Sequence, residues 1–120
     1  MTNRCVIVRD GTIGIENRAA SGRGPGEATL EVLRVGLSHL DAAIGQGRMS
    51  FDGIPGQELV GRVIEVDEAD ADWRSRRVVV DPLVTCGQCE WCLGGVREHC
   101  GQRRIIGRQG ADGGLAEQIV

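Results

Sequence analysis

Four of the five cysteines of this 120-residue chain lie in one stretch, CGQCEWCLGGVREHC, which spans residues 86–100. Their spacing is C-x2-C-x2-C-x7-C, formed by Cys86, Cys89, Cys92 and Cys100. So dense a group of thiols can form disulfides, remain free, hold a metal ion or carry an iron–sulfur cluster, and each choice requires a different local structure. The chemistry of this stretch therefore constrains the fold more than any other feature of the sequence.

Zinc is the favoured occupant of the cysteine stretch. The N-terminus, MTNRCVIVRDG, has too short an apolar run for a secretion signal, so we expect a cytoplasmic protein, in which disulfides are rare. Thiolates two residues apart can converge on one ion from a tight turn, and Gly87, Gly94 and Gly95 give the backbone the necessary freedom. We expect one structural zinc ion, held by all four thiolates with no open coordination position. His99 is expected at the surface, because four cysteines already complete the ligand set.

An iron–sulfur cluster stays open as an alternative. The first three cysteines match the start of the ferredoxin run C-x2-C-x2-C-x3-C-P. The fourth thiol, Cys100, is separated from Cys92 by seven residues and is followed by Gly101 rather than proline. A remote fourth ligand would still complete such a cluster, so visible colour and iron content distinguish the two metals.

Composition and charge argue against several classes of function. The net charge of -3 provides no basic surface for a nucleic acid, and no apolar run approaches the ~20 residues that a membrane-spanning helix needs. The length fits one domain over residues 1–120. One phenylalanine, two tryptophans and no tyrosine leave the core to Val, Ile and Leu, which favours strands.

The hydrophobic pattern predicts a mainly β domain. Asp10-Gly11 is a favoured tight-turn pair between two β-rich runs, residues 5–9 and 12–16, and predicts a hairpin. The best candidate for a helix is residues 37–44, and it is short. The remaining expectations are strands at 28–38, 58–68 and 77–82 (the last one buried), a loop at 21–27, a solvated turn at 67–72, and a strand or short helix in the tail.

Four segments, taken in order, carry a family resemblance. GPGEATLEVLRVGLSHLD (24–41) is similar to P-x-P-G-E…V-x-V-x-x-x-G-I-C-x-[ST]-D, and PGQELVGRVIEV (55–66) to G-H-E-x-x-G-x-V. The third segment is the cysteine stretch with its preceding proline, which matches the family's structural-zinc lobe. The fourth is GADGGLAEQIV (110–120), which is similar to G-G-F-A-E-Y. Together they resemble the N-terminal, GroES-like domain of zinc-dependent medium-chain alcohol dehydrogenases. The resemblance implies a partly open β-barrel with short helices, from which the structural-zinc lobe extends.

The resemblance also implies a second, catalytic zinc, and here the sequence departs from the family. The ligand cysteine of the family falls on Ser38 and its ligand histidine on Gln57, while a nearby glutamate is kept as Glu58. A serine hydroxyl keeps its proton near neutral pH and a glutamine carbonyl is neutral, so both are poor zinc ligands. The family's proton-relaying Ser/Thr falls on Leu40, whose side chain cannot transfer a proton. The adjacent His39 is expected to face solvent or to have its hydrogen bonds satisfied, without a catalytic role. We therefore expect a degenerate site with no intact catalytic residue.

Two further departures concern the cofactor and one turn. The family binds its nicotinamide cofactor in a Rossmann domain, which needs G-x-G-x-x-G between a strand and a helix. No segment of the chain has that arrangement, so we expect no Rossmann domain and no cofactor-binding residue within residues 1–120. The family's G-D-R-V turn is replaced by RSRRV (74–78), and we expect a rebuilt turn there.

Three functions follow from these observations. The first is a zinc-binding domain that does not catalyse alone and serves as a binding or assembly module, as a homodimer or with a separate cofactor-domain protein. The alternative is the substrate-side half of an NAD(P)-dependent oxidoreductase, whose cofactor domain lies on a missing segment or another chain. In that half, Glu58, His39 and Asp41 are the polar groups available to polarise a carbonyl. The third is an iron–sulfur electron carrier. Neither nucleic acid nor a membrane is expected as a partner.

Overall fold

The computed structural model describes residues 2–120 and confirms a mainly β domain with short helices. In chain order the elements are β1 (Thr2–Arg9), β2 (Thr12–Ala19), β3 (Thr29–Gly36), α1 (His39–Gly45), β4 (Glu58–Glu65), a 3₁₀ helix (Glu68–Trp73), β5 (Arg77–Val79), β6 (Leu83–Val84), α2 (Glu90–Leu93), a second 3₁₀ helix (Arg97–His99), β7 (Arg104–Ile106), β8 (Gly110–Ala111) and β9 (Gln118–Ile119). None of the helices in this part of the chain is both long and apolar enough to cross a bilayer.

Strands β1 and β2 form the predicted hairpin. They pair antiparallel with Thr2 opposite Ala19 and Arg9 opposite Thr12, so only Asp10 and Gly11 connect them. Both connecting residues have positive φ, 49° and 73°, as the tight turn of a two-residue hairpin requires. The turn chemistry thus fixes the register of the whole ribbon.

The central sheet has the strand order β5-β4-β3-β9 and carries the main core. Strands β3 and β4 pair antiparallel over almost their full length, with register shifts beside Leu30 and Val32. Alternate side chains of these strands point inward, as the period of a strand dictates. The buried cluster consists of Leu30, Leu59, Val63, Val66, Ile106 and Ile119.

Two smaller assemblies complete a partly open barrel. The ribbon β1–β2 packs a second buried cluster, Cys5, Ile7 and Ile54, and meets the rest of the domain through isolated bridges from Cys5 to Ala116 and from Val8 to Gly53. Strands β6, β7 and β8 form a third sheet. The three sheets are not joined into one continuous ladder in the described residues, which agrees with the open barrel implied by the family resemblance.

Most predicted elements are confirmed, with two corrections. The helix expected at 37–44 is α1, the tail forms a strand, and the expected turn at 67–72 is largely the first 3₁₀ helix. The strand expected to be buried at 77–82 is shorter, and Val79 is 81% exposed, because β5 lies at the edge of its sheet. Strands β6, β7 and β8 were not predicted, since two or three residues show no periodicity.

The turn before β5 has a serine at its third position. The main-chain N–H of Arg76 donates to the carbonyl of Trp73 at 3.0 Å, and the residues between them, Arg74 and Ser75, have φ values of -56° and 67°. This is a type II turn, whose third position favours glycine because φ is positive there. The N–H of Ser75 also donates to the carbonyl of Val63 at 2.8 Å, which ties the turn to β4.

Replacing Ser75 by glycine is expected to stabilise the domain. Glycine removes the Cβ that makes the left-handed conformation unfavourable, and the gain should be about 1 kcal/mol after the loss of chain entropy. Urea denaturation followed by circular dichroism measures the free energy of unfolding. Ser75→Ala is the matched control, since it removes the hydroxyl but keeps the Cβ; equal stabilisation by both variants would contradict this account of the turn.

Candidate metal centre

Three short elements bring the four predicted thiols together. Cys86 follows β6, Cys89 is the N-cap of α2, Cys92 lies within α2, and Cys100 ends the second 3₁₀ helix. Their sulfur atoms all lie within 4.8 Å of one another. Among residues 2–120, this is the only group of His, Cys, Asp or Glu side chains found close enough together to share one metal ion.

The sulfur geometry fits a tetrahedral ion. The Sγ atoms of Cys86 and Cys92 are 3.9 Å apart. Four thiolates at the usual zinc–sulfur distance of about 2.3 Å from one ion would be separated by about 3.8 Å. Cys100 is completely buried, whereas the other three cysteines are half-buried. The donor set is therefore all sulfur, compact and shielded on one side, which suits zinc.

Main-chain N–H groups prepare part of the cluster for a cation. Hydrogen bonds from the N–H groups of Gln88 and Cys89 stabilise the thiolate of Cys86 and lower its pKa to about 6. The N–H of Cys89 lies 3.4 Å from that sulfur. Although the N–H of Cys92 favours a thiolate at Cys89, burial and the neighbouring sulfur atoms raise the pKa of Cys89 to about 11. A divalent cation would relieve this conflict, because it stabilises both thiolates at once.

The lobe formed by residues 86–100 is attached to the sheet β6–β7–β8 by an arginine. The guanidinium of Arg97 donates to Asp81 at 3.1 Å and to the carbonyl of Leu83. On the outside of the lobe, His99 stacks obliquely on Trp91 with ring centroids 5.2 Å apart. His99 is exposed, as expected, and it is not a member of the sulfur group.

Ser38, which the resemblance places at a zinc-ligand position, has a structural role in the fold. The hydroxyl of Ser38 caps α1 by accepting from the N–H of Leu40 at 3.2 Å. The N–H of Ser38 donates to a carboxylate oxygen of Asp41 at 2.8 Å, which completes a capping box. Gln57 is half-buried just before β4, and Glu58 is exposed at its start.

These residues line two different clefts. Ser38 lines an apolar cleft of about 330 Å³ with Leu37 and Leu115. Gln57 and Glu58 line a more open one of about 410 Å³ beside β5. No second group of metal-binding side chains forms around either cleft in the described part of the chain.

One polar group in the first cleft, Asp41, was named from the sequence, but its burial was not predicted. Asp41 is only 7% exposed, and its Oδ1 atom has no hydrogen-bond partner, because only Oδ2 takes part in the cap. The pattern Ser38-x-x-Asp41 is a recognisable capping box and would have placed the carboxylate at the start of α1. Its burial depends on the packing of α1 against the ribbon, which no local pattern reveals. His39 is exposed on the first turn of α1.

Comparison with known proteins gives one family. The model of the alcohol dehydrogenase GroES-like domain matches residues 24–120. Among curated proteins, the erythritol/L-threitol dehydrogenase of Mycolicibacterium smegmatis is 32% identical over 123 residues, which cover 88% of this chain and 34% of that protein. The D-altritol 5-dehydrogenase of Agrobacterium fabrum is 35% identical over 100 residues, covering 80% and 30% respectively. The chain thus spans about a third of the length of these relatives.

Solved structures give the same result for the fold. The alcohol dehydrogenase RspB of Escherichia coli CFT073, complexed with NADH, superposes with a TM-score of 0.87 at 27% identity, covering 98% of this chain and 35% of that one. A cobalt- and zinc-bound thermostable alcohol dehydrogenase of Pyrobaculum aerophilum gives 0.83 at 28% identity, covering 98% and 38%. The barrel and its cysteine lobe are therefore similar as a unit to one part of longer dehydrogenases.

Cys92→Ser is expected to reduce the metal content of the purified chain. Removing one of four thiolates leaves an incomplete tetrahedron, so zinc should fall from about one ion per chain to well below one, and the melting temperature should fall with it. Elemental analysis after gel filtration measures the metal. Cys5→Ser is the matched control, because Cys5 is buried in the other core cluster, outside the sulfur group. Unchanged zinc in Cys92→Ser would rule out a site that needs all four thiolates.

Proposed function

Because the chain belongs to the alcohol dehydrogenase GroES-like domain family, we propose that it is a zinc-stabilised domain that does not catalyse alone and acts as a binding or assembly module. The observation that carries this proposal is a contrast within one domain. Four sulfur atoms converge within 4.8 Å at one place, whereas the positions that correspond to the family's catalytic zinc hold a serine and a glutamine. One metal site is complete in its ligands, and the other is degenerate.

The sulfur cluster is proposed to hold a single structural zinc ion through Cys86, Cys89, Cys92 and Cys100. Four thiolates fill a tetrahedron, so no position remains for water or substrate. When bound, the ion supplies folding energy to the lobe and no chemistry of its own. The reduced thiols that such a site requires favour a cytoplasmic location.

The degenerate site is proposed to bind no metal. The hydroxyl of Ser38 is occupied by the cap of α1, and it donates to the Oδ2 atom of Asp41 at 3.1 Å. Gln57 offers a neutral amide, and only Glu58 brings a charge, from an exposed position. This set lacks the thiolate and the imidazole nitrogen that zinc prefers.

A binding role is supported by apolar side chains on the surface. Ile13, Ile15 and Leu37 are 56%, 74% and 70% exposed, and Ile13 and Leu37 line the same cleft. Large exposed apolar side chains in one region mark a surface that another protein covers. A second copy of the chain or a separate cofactor-domain protein is the proposed partner.

One observation favours a second function, the substrate-side half of a medium-chain NAD(P)-dependent oxidoreductase. Nearly the whole chain superposes on a dehydrogenase that was solved with NADH, yet it covers only 35% of that protein. A cofactor domain on a further segment or another chain would complete such an enzyme. Without a catalytic zinc, Glu58, His39 and the buried carboxylate of Asp41 are the groups available to act on a carbonyl.

Restoring the family's ligands tests the degenerate site. Wild type purified without added metal should contain about one zinc per chain and no iron, since one four-thiolate site binds one ion. Ser38→Cys combined with Gln57→His should raise the content toward about two, because a thiolate and an imidazole then join Glu58. Elemental analysis measures both metals, and the iron value decides the iron–sulfur alternative.

A surface control separates a rebuilt site from adventitious binding. Ser50→Cys combined with Gln109→His introduces the same two side chains at exposed positions outside both clefts and should leave the zinc content unchanged. About two zinc ions in the wild type would overturn the proposal of a single site. No increase in the double variant would mean that the loss of two ligands does not explain the loss of the site.

Binding of NADH tests whether residues 1–120 lack a cofactor site. The isolated chain has no G-x-G-x-x-G between a strand and a helix, so it should not bind NADH measurably. Isothermal titration calorimetry with NADH measures this directly, and RspB of Escherichia coli is a suitable positive control because its structure contains NADH. A saturable isotherm with the isolated chain would overturn the expectation of no cofactor-binding residue, on which both functions rest.

A further inference from the structure

The sulfur atoms of Cys86 and Cys92 are close enough to react with each other. They lie 3.9 Å apart, and a disulfide has an S–S length of about 2.05 Å. Closing the gap therefore requires a relative movement of about 1.9 Å. Cys86 lies in the loop between β6 and α2, and the next residue is Gly87, whose φ is 74°. No other atom lies within 4 Å of the position that a Cβ would occupy at Gly87. The open space beside Gly87 thus leaves room for this movement.

The same two thiols are accessible to a small oxidant. Cys86 and Cys92 are half-buried, whereas Cys100 is completely buried. Cys89 has a similar exposure but is the N-cap of α2, where its sulfur accepts from the N–H of Cys92 at 3.5 Å. Oxidation at Cys89 would therefore disturb the start of that helix. Exposure excludes Cys100, and the 3.9 Å separation of the sulfur atoms favours the pair formed by Cys86 and Cys92.

We propose that Cys86 and Cys92 form a redox switch, in which a hydroperoxide oxidises the pair to a disulfide and the lobe releases its metal ion. The proposal rests on the structural zinc site proposed above. It adds that the site opens reversibly under oxidising conditions.

The reaction balances with hydrogen peroxide as the only oxidant. The sulfur of Cys86 attacks one peroxide oxygen, the O–O bond breaks, and a sulfenic acid forms while hydroxide leaves and is protonated to water. The sulfur of Cys92 then attacks the sulfenic sulfur, the S–O bond breaks, and a second water leaves. Two thiolates, one peroxide and two protons thus give one disulfide and two waters, with two electrons passing from sulfur to peroxide.

The disulfide removes half of the ligand set. Cys89 and Cys100 alone offer two thiolates where zinc needs four ligands, so the affinity for the ion collapses. The energy that the ion contributed to folding is lost from the lobe. The barrel keeps its core, because neither buried cluster includes a residue of the lobe. A local loosening is expected, with the rest of the domain intact.

Zinc release and disulfide mapping test the switch together. The full chain carrying Cys5→Ser is used, so that only the four lobe cysteines can pair. Its zinc content is measured first by elemental analysis. Hydrogen peroxide is then added in small molar excess, released zinc is followed with a chromogenic chelator, and peptides are mapped by mass spectrometry without reduction. We expect about one zinc released per chain, one disulfide joining Cys86 to Cys92, and recovery of the zinc-bound form with dithiothreitol and zinc.

The outcomes separate the switch from the zinc site. If the chain contains zinc that peroxide does not release, the structural site stands and the switch is wrong. Release with a first disulfide that includes Cys100 or Cys89, or with sulfinic acids and no disulfide, also overturns it. If the chain contains no zinc before oxidation and takes up none, the proposed structural site fails, and the switch fails with it.

Discussion

The convergence of four sulfur atoms supports a lobe that has almost no apolar packing of its own. Within residues 86–100, Trp91, Leu93 and Val96 are the large hydrophobic side chains, and all three are exposed; Leu93 is 77% accessible. Neither buried cluster of the domain draws a residue from this segment. Helix α2 has four residues, too few for a helix that is stable in isolation. The proposed coordination of a metal ion would supply the folding energy that this segment otherwise lacks.

The cysteine lobe and the site that the resemblance places at Ser38 differ in how far the local structure depends on their metal ligands. Under the proposed function, loss of a lobe cysteine removes a ligand of the ion that stabilises the lobe. Ser38 stands where the family has a ligand, and there serine is among the best N-cap residues, with Asp41 closing the capping box. Exchange of the catalytic thiol for a hydroxyl therefore costs the domain little stability. A catalytic site of this kind can be lost while the barrel remains unchanged, whereas the lobe cannot lose a ligand in the same way.

The sequence predicts those parts of the fold that follow from local rules. Asp10 and Gly11 determine a hairpin, and alternating apolar residues mark β3 and β4, because turn conformation and strand period are properties of neighbouring residues. The exposure of Val79 could not be predicted, since it depends on which strand lies at the sheet edge. The parallel pairing of β7 with β8 brings Ile105 opposite Gly110 over two or three residues and leaves no periodic pattern.

In the candidate site, too, local sequence patterns predict some features, whereas features that depend on tertiary packing could not be predicted. Cysteine spacing predicted the cluster, because all four cysteines come from one short segment that tight turns can fold back on itself. The unpartnered Oδ1 atom of Asp41 could not be predicted, because its burial arises where α1 meets the ribbon β1–β2, two elements far apart in sequence.

The domain thus has two units of stability that rest on different forces. Burial of apolar side chains holds the sheets, and it does not depend on the redox state of the solution. In the proposed zinc-bound form, thiolate coordination holds the lobe, and it is lost when the sulfur atoms are oxidised or protonated. Contacts between the two units include those of Arg97 with Asp81 and with the carbonyl of Leu83, and that of Arg103 with the carbonyl of Cys100. We therefore expect the proposed oxidation to open the lobe without unfolding the barrel.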